Sequence, residues 1–338
     1  MEDKFYNYDC IEGAKKYLKS NSIDLIISDP PYGINGDKLD KHYNRDESNV
    51  LDGYVEVPEN KYPEFSNKWI KEVERVLKPG GCIYIVSGYS NLRHILNALS
   101  GTSLQEKNHI IWKYNFGVYT SKKYISSHYH ILYYVKPPCK DLTFNTNAFF
   151  ADSEKSENGG SLNYLDREDV WIINREYKPG QVKNKNELPK ALLTKMILYS
   201  SNPNDMVCDF FLGSFSTAKV AIGLGRQACG FELNKNAFDY QIQEIKNIKS
   251  GELLSELREV PENTLKNKGK PLTQEETNLI ITDFTKLLQK GLPQKTACDI
   301  LTKKYGRGYW SIQRMIKTNG MTIFQKQQTF TIFDNVTT

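Results

Sequence analysis

The 338-residue sequence lacks any stretch that approaches the roughly 18 apolar residues a helix needs to cross a bilayer. Its first residues, Met1–Phe5, do not form a cationic segment followed by an apolar run, so we expect no signal peptide. No internal repeat stands out. The six cysteines are scattered without a C-x-x-C pair, which argues against a metal site or a disulfide framework and suits a reducing cytoplasm: Cys10, Cys82, Cys139, Cys208, Cys229 and Cys298.

A strong excess of charge of one sign is also lacking. The 45 Lys and Arg residues face 40 Asp and Glu residues, which leaves a net charge of +5. That balance permits an anionic partner without requiring one. Hydrophobic residues make up 39% of the chain and charged residues 25%, as in ordinary globular proteins. We therefore expect one large domain with a buried core and a small second module.

Short β-branched runs alternate with amphipathic stretches, which is typical of an α/β protein. The runs 110–112 and 129–135 are interpreted as a hairpin at the sheet edge, and Lys78-Pro79-Gly80-Gly81 as the turn that ends a helix. Strands are predicted at 23–28, 82–86, 110–112, 129–135, 206–209 and 227–232, and helices at 69–77, 188–201, 216–224 and 236–248.

The composition divides the chain further. Periodicity fades over 136–187, where Asn, Ser, Gly and charged residues dominate, and this region is interpreted as an inserted loop-rich segment. The predicted plan is a first half at 1–135, the insertion at 136–187, a second half at 188–248, a linker at 249–270, a helical module at 271–320 and a tail at 321–338.

The segment Val207–Ala218 predicts a strand, a tight loop of small residues and a helix. Gly213 allows a ligand to approach the backbone closely, and Glu232, about twenty residues further on, could accept hydrogen bonds from two ribose hydroxyls. The loop lacks the G-x-G-x-x-G pattern that cradles a pyrophosphate, which favours S-adenosylmethionine over a dinucleotide. Plain packing of a strand against a helix remains an alternative.

A second loop, Asp29-Pro30-Pro31-Tyr32, follows a hydrophobic strand and so lies where ligand sites of α/β proteins form. Asp29 and the Pro30 carbonyl can each accept one hydrogen of an exocyclic base amine and localise its lone pair for attack on a methyl group. Tyr32 can stack on a base taken out of the duplex. The alternative is a proline-stiffened turn with a surface tyrosine.

Together these motifs make residues Phe5–Ile248 similar to the permuted, β-class amino-methyltransferases of bacterial restriction-modification systems. The resemblance implies a Rossmann-like methyltransferase sheet, with target recognition by 136–187. It implies a cofactor site for S-adenosylmethionine at Asp9, Cys10, Asp29, Asp209, Phe210, Gly213, Ser214, Ser216, Thr217, Glu232 and Leu233. It also implies a target-base pocket that includes Trp112, Asn115, His128 and His130.

The chain departs from the family pattern in two places. The family's cofactor loop usually reads D-P-F-x-G-S-G-T, whereas here Phe210 replaces the proline and Phe215 replaces the second glycine. The T-Q-K-P-like start of the preceding helix is Asn186-Glu187-Leu188-Pro189, without the lysine.

The segment 294–317 predicts a helix-turn-helix, with helices at 294–304 and 309–317 and exposed basic residues that include Lys303 and Lys304. We expect Arg307, Gln313, Arg314 and Lys317 to contact DNA. The alternative is a helical cap with a solvated basic face.

The expected activity is methylation of adenine N6 in double-stranded DNA, because cytosine-N4 enzymes of this family more often have serine in place of Asp29. Cytosine-N4 methylation and a catalytically silent DNA-binding regulator remain alternatives. A cytosine-C5 mechanism through Cys139 lacks other support. Expected partners are double-stranded DNA, a cognate restriction endonuclease and a second copy of the chain, in the interior of a bacterial or phage-infected cell, close to the nucleoid.

Overall fold

A computed structural model describes residues 4–31, 57–115, 117, 119–175, 187–261, 265, 267 and 270–320. The chain divides into two compact units. The larger comprises Met1–Phe149 and Asn163–Glu259, and the smaller comprises Phe150–Leu162 and Val260–Thr338. Within the described residues, no helix is both long and apolar enough to span a membrane.

The described part of the larger unit forms an eight-stranded sheet in the order β1-β8-β7-β2-β3-β5-β4-β6. β5 runs antiparallel to both of its neighbours, and all the other pairings are parallel. The strands are β1 Lys4–Tyr6, β2 Ile23–Ser28, β3 Leu77–Ser87, β4 Gln105–Lys113, β5 His128–Val135, β6 Val170–Ile172, β7 Met206–Asp209 and β8 Gln227–Phe231.

Helices cover both faces of this sheet. In the larger unit they are α1 Cys10–Tyr17, α2 Tyr62–Val76, α3 Tyr89–Ser100, α4 Leu162–Asp166, α5 Lys190–Ser200, α6 Ser216–Gly223 and α7 Lys235–Ile245. Trp69, Ile70, Val73 and Val76 line one side of α2 at helical spacing and are fully buried against one face. Residues of α5 and α6 pack on the opposite face. Because both faces are covered, four of the six residues of β2 are buried and apolar, as is usual for parallel strands.

The predicted α/β pattern is confirmed, with two corrections. Lys78–Gly81 lies within the range of β3, as an irregularity in that strand: the register with β2 passes from Ile23–Leu77 to Leu25–Cys82, and Gly80 has a positive φ of 80°. Residues 110–112 and 129–135 do form an antiparallel pair, but β6 from the insertion adds beside β4 and becomes the edge strand.

Part of the insertion packs against α5, and part of the expected linker packs against the core. Asp166, at the end of α4, accepts hydrogen bonds from the Lys195 ammonium and the Tyr199 hydroxyl, which fasten the insertion to α5. Residues Glu252–Glu256 form a short 3₁₀ turn, and Leu253 and Leu257 pack against the core. The first part of the predicted linker therefore belongs to the larger unit.

Three helices build the described core of the smaller unit: α8 Gln274–Gln289, α9 Gln294–Tyr305 and α10 Tyr309–Met315, which continues as a π-helical turn over Ile316–Gly320. Buried residues from all three pack together, among them Ile280, Phe284, Leu301, Ile312 and Met315. The Thr273 hydroxyl accepts a hydrogen bond from the Glu276 amide at the start of α8. Gly306 ends α9 in the left-handed conformation that favours glycine.

Candidate active site

The ends of β2, β7 and β8 bring two loops together at one edge of the sheet. β2 lies between β3 and β7, so the strand order reverses beside it, and such switch points are where α/β proteins bind ligands. Ile26 is in register with Cys208, and the Phe210 amide donates a 3.3 Å hydrogen bond to the Ser28 hydroxyl. The loop that begins at Asp29 and the loop that begins at Asp209 are therefore direct neighbours.

Asp29 follows β2 and is partly exposed, whereas Pro30 is buried and Pro31 is partly exposed. Two prolines without amide hydrogens end the strand and fix the backbone at this point. The Pro30 carbonyl thereby belongs to a stiff segment. Tyr32, the last predicted residue of this loop, lies outside the described residues.

Asp209 is a buried carboxylate at the end of β7. It accepts a 2.9 Å hydrogen bond from the Phe211 amide and lies beside the hydroxyls of Thr217 and Ser28. Burial raises the pKa of its carboxyl to about 6, and the Phe211 amide and the nearby hydroxyls offset part of that effect. The loop then passes through Gly213, which has a positive φ of 51°, and Ser214, which is buried, to the start of α6 at Ser216.

The Glu232 carboxylate is positioned by backbone amides. Its Oε2 accepts from the Gly213 amide at 2.8 Å and its Oε1 from the Asn234 amide at 2.7 Å. Burial raises the pKa of this carboxyl despite those bonds. Asn7, which the sequence analysis missed, donates from Nδ2 to the Glu232 carbonyl at 2.8 Å and joins the end of β1 to the site. The adjacent Leu233 is 52% exposed.

Asp9 and Cys10 have local structural roles. One carboxylate oxygen of Asp9 caps α1 by accepting from the amides of Ile11 and Glu12, each at 3.0 Å. Cys10 is buried, and burial raises the pKa of its thiol well above the usual range. The Asn7 hydrogen bonds bring this end of β1 next to Glu232. Asp9 and Cys10 therefore lie at the same edge of the sheet as Glu232.

The two departures in the cofactor loop are accommodated in the core. Phe210 is buried and packs against Trp69 and Phe231. Phe215 adopts φ 60° and ψ 20°, the left-handed conformation in which the family has glycine, and its ring is fully buried between Phe5 and Phe238. Both rings therefore point into the core, and the loop keeps a turn that suits glycine.

The four residues predicted for a target-base pocket do not line one surface. Trp112 is 0% exposed, and its indole Nε1 donates to the Ile173 carbonyl at 2.8 Å. His130 is adjacent in register to Ile111, and so it lies on the opposite face of the sheet from Trp112. The Trp112 ring therefore lies in the core and does not share a surface with His130.

On the other face of the hairpin, His130 is partly buried, and its Nδ1 lies 2.8 Å from Nε2 of His109. Burial, followed by the neighbouring histidines, lowers the pKa of His130. His128 and Asn115 are exposed. His109 was missed in the sequence, because only the strand register reveals that it faces His130.

The residues of the smaller unit that were predicted to contact DNA differ in their exposure. Arg307 is only 5% exposed, because its guanidinium donates to both carboxylate oxygens of Glu276, at 2.7 and 2.6 Å, and to backbone carbonyls that include that of Lys270. The expectation of an exposed Arg307 is wrong, and the residue joins the turn to α8. Arg314 and Lys317 are exposed, and Gln313 is partly exposed.

Acidic residues at three strand ends, next to a glycine-bearing loop at a switch point, define the larger unit as an α/β protein with a ligand site at this edge of the sheet. A family model described as DNA methylase, of the N6/N4 methyltransferase group, matches residues 23–244. The chain is 34% identical over 229 residues to the type II methyltransferase M.HpaI of Haemophilus parainfluenzae, covering 66% of this chain and 68% of that one. It is 30% identical over 234 residues to the DNA adenine methyltransferase YhdJ of Escherichia coli, covering 65% of this chain and 74% of that one.

Solved structures share the fold. A DNA modification methylase of Thermus thermophilus complexed with S-adenosyl-L-methionine is 21% identical, with a TM-score of 0.50 over 72% of this chain and 93% of that one. The cytosine-N4-specific PvuII DNA methyltransferase is 14% identical, with a TM-score of 0.51 over 77% of this chain and 95% of that one. The chain belongs to the N6/N4 DNA methylase family and is an S-adenosylmethionine-dependent DNA methyltransferase. Membership of this family identifies the protein as an enzyme and not as a catalytically silent regulator.

Proposed function

We propose that the protein methylates the N6 amine of adenine in double-stranded DNA. The observation that carries the proposal is the position of Asp29, which follows the buried strand β2 beside the loop of Asp209 and Gly213. A carboxylate here accepts a hydrogen from the amine and can take the charge that develops on it. The name of the YhdJ relative, a DNA adenine methyltransferase, supports the same base.

The residues around the loop fit S-adenosylmethionine by their chemistry. Residues 209–217 contain no lysine or arginine, so the loop has no side-chain cation for a phosphate. Three carboxyl groups, those of Asp29, Asp209 and Glu232, instead surround it and suit a cationic sulfonium and ribose hydroxyls. We propose that Glu232 binds the ribose, that Leu233 packs on the adenine, and that Asp9, Cys10, Ser214, Ser216 and Thr217 complete the wall.

The cofactor supplies a methyl group bonded to a positively charged sulfur. Asp29 and the Pro30 carbonyl accept the two hydrogens of the base amine and direct its lone pair toward that methyl group. The rigid Pro30-Pro31 backbone holds this carbonyl in place before the base arrives, and Tyr32 is proposed to stack on the base. Because the amine is paired inside a duplex, the base must first leave the helix.

Cytosine-N4 methylation is the second candidate, since the family includes both activities and the chain shares its fold with the PvuII enzyme. Incubation of the full chain with methyl-labelled cofactor and unmethylated genomic DNA, followed by digestion to nucleosides, separates the two. We expect label in N6-methyldeoxyadenosine. Label only in N4-methyldeoxycytidine would assign the second activity, and no label in DNA would contradict both.

We also propose two partners and a cellular location. The type II names of relatives support a cognate restriction endonuclease that cleaves the same unmethylated sequence. A homodimer is proposed as well, to be tested by sedimentation. The location proposed is the bacterial or phage-infected cytoplasm, where genomic DNA is accessible.

A further inference from the structure

The smaller unit carries a surface that methyl transfer does not explain. Its helical part belongs to the segment Val260–Thr338, beyond the residues 23–244 that the family model matches. Its α9 and α10 are joined by the three-residue turn Gly306–Gly308, and they pack on α8 through a common apolar core. Two helices joined in this way form the helix-turn-helix outline whose second helix reads a DNA groove.

The outward side of α10 is defined by spacing. Ile312, Met315 and Ile316 are buried, so Trp310, Arg314 and Lys317, at intervals of four and three residues, point the other way. All three are exposed, and we call them the α10 face. Between Ile300 and Gly320 there are five Lys and Arg residues and no Asp or Glu. An anionic partner is therefore favoured.

Two of those five cations are used inside the unit. Arg307 is bound by Glu276, and Lys304 pairs with Asp283. Neither Arg314 nor Lys317 forms an ion pair with another described residue. Within the described part of the chain, no carboxylate pairs with either side chain, so their charges are available to phosphates.

Trp310 distinguishes this face from an ordinary basic helix. It is 76% exposed, whereas Trp69 and Trp112 are fully buried. Its indole offers a large, rigid apolar surface together with an N–H donor, which suits contact with a partner. At the start of α10 it occupies the part of a recognition helix that meets base edges, where an indole can contact a thymine methyl group or stack on a base.

We propose that the α10 face is a second DNA-binding site, which holds duplex DNA independently of the methylation reaction. Trp310 contacts the bases, and Arg314 and Lys317 contact the phosphates. The two sites act as linked modules: binding at one raises the local concentration of DNA at the other. This site goes beyond the proposed function, since it requires no particular methylated base.

The test uses the full chain without cofactor and a fluorescein-labelled duplex of mixed sequence, about two helical turns long. The double variant Arg314→Ala, Lys317→Ala should bind about tenfold more weakly, and the slope of log affinity against log salt should fall by about 2, one unit for each lost phosphate contact. Lys286→Ala, which alters an exposed lysine on α8 instead of α10, is the matched control and should leave both quantities unchanged.

Trp310 supplies a second readout. Duplex DNA should quench the tryptophan fluorescence of the wild type, and Trp310→Ala should lose that quenching and bind DNA about tenfold more weakly. Leu279→Ala, which alters another exposed apolar residue on α8, should do neither. The melting temperatures of the α10 variants should match the wild type, because all the altered side chains are exposed.

In methylation assays, both α10 variants should raise the KM for DNA and leave kcat at saturating DNA unchanged, which separates this site from the catalytic loop. DNA affinity within twofold of the wild type together with an unchanged salt slope would overturn the proposal. A change in sedimentation with Trp310→Ala at constant DNA affinity would also overturn it, and would assign the face to a protein partner.

Discussion

The backbone amide of Gly213 donates a 2.8 Å hydrogen bond to the Oε2 atom of Glu232. This bond joins the loop after β7 to the end of β8 and fixes the carboxylate before any ligand arrives. With the second bond from the Asn234 amide, Glu232 is held from two sides and retains lone pairs for a ligand. Preorganisation of this kind lowers the entropy cost of binding.

Glu232→Ala should therefore weaken S-adenosylmethionine binding. A hydrogen bond to a charged group contributes about 1.5–3 kcal/mol, so we expect a rise in Kd of roughly ten- to a hundredfold in calorimetry. Glu244→Ala, an exposed glutamate on α7, is the matched control and should bind like the wild type. An unchanged Kd for Glu232→Ala would remove this residue from the cofactor site.

Asp29→Asn should strongly reduce methyl transfer while DNA binding persists. The amide keeps the shape of the carboxylate but loses its charge, so the developing positive charge on the amine loses its stabilisation. We expect kcat to fall at least about a hundredfold. DNA binding measured by anisotropy should remain near wild type. Retained turnover would show that another group stabilises this charge.

At position 215, the glycine variant should be more stable than the alanine variant, which reverses the usual order of stability. Phe215→Ala loses a buried ring, at about 3–5 kcal/mol, and keeps the left-handed backbone. Phe215→Gly loses the same ring but relieves the backbone, so it should be more stable than the alanine variant by about 1 kcal/mol in urea unfolding.

The partner ring at Phe238 provides the control, because it lies inside α7. There glycine should be less stable than alanine by about 1 kcal/mol. The same order of alanine and glycine at both positions would contradict the strain assigned to Phe215.

Asp209 should make stability depend on pH. Its folded pKa of about 6 lies above that of an unfolded aspartate, so the protonated form stabilises the fold at low pH. That contribution is lost as the pH rises through about 6, and amounts to roughly 2–3 kcal/mol. Relative to Asp209→Asn, the wild type should lose stability between about pH 4 and pH 7 in chemical unfolding. Parallel pH profiles would show that the carboxyl titrates normally.

Arg307→Ala should destabilise the smaller unit, because it leaves the Glu276 carboxylate without its partner. We expect a loss of roughly 2–4 kcal/mol in the stability measured by hydrogen exchange of α8–α10 amides. Arg314→Ala, on the exposed side of α10, should change stability by less than about 0.5 kcal/mol. Equal effects of the two variants would contradict the internal role of Arg307.

The sequence by itself determined the alternation of strands and helices and the position of the Asp29 loop after β2. These features depend on local properties: apolar runs buried on both faces, and prolines that cannot continue a strand. The acidic residue after β8 was also found from its spacing to Gly213. For these residues, neighbours along the chain carry enough information.

Only the tertiary structure decided which side chains share a surface. Trp112 and His130 lie on opposite faces of the sheet, which depends on the register between β4 and β5. Arg307 is internal because Glu276, on another helix, reaches it. Phe215 tolerates a glycine conformation because Phe5 and Phe238 enclose its ring. Each outcome rests on contacts between residues far apart in the chain, which no local pattern encodes.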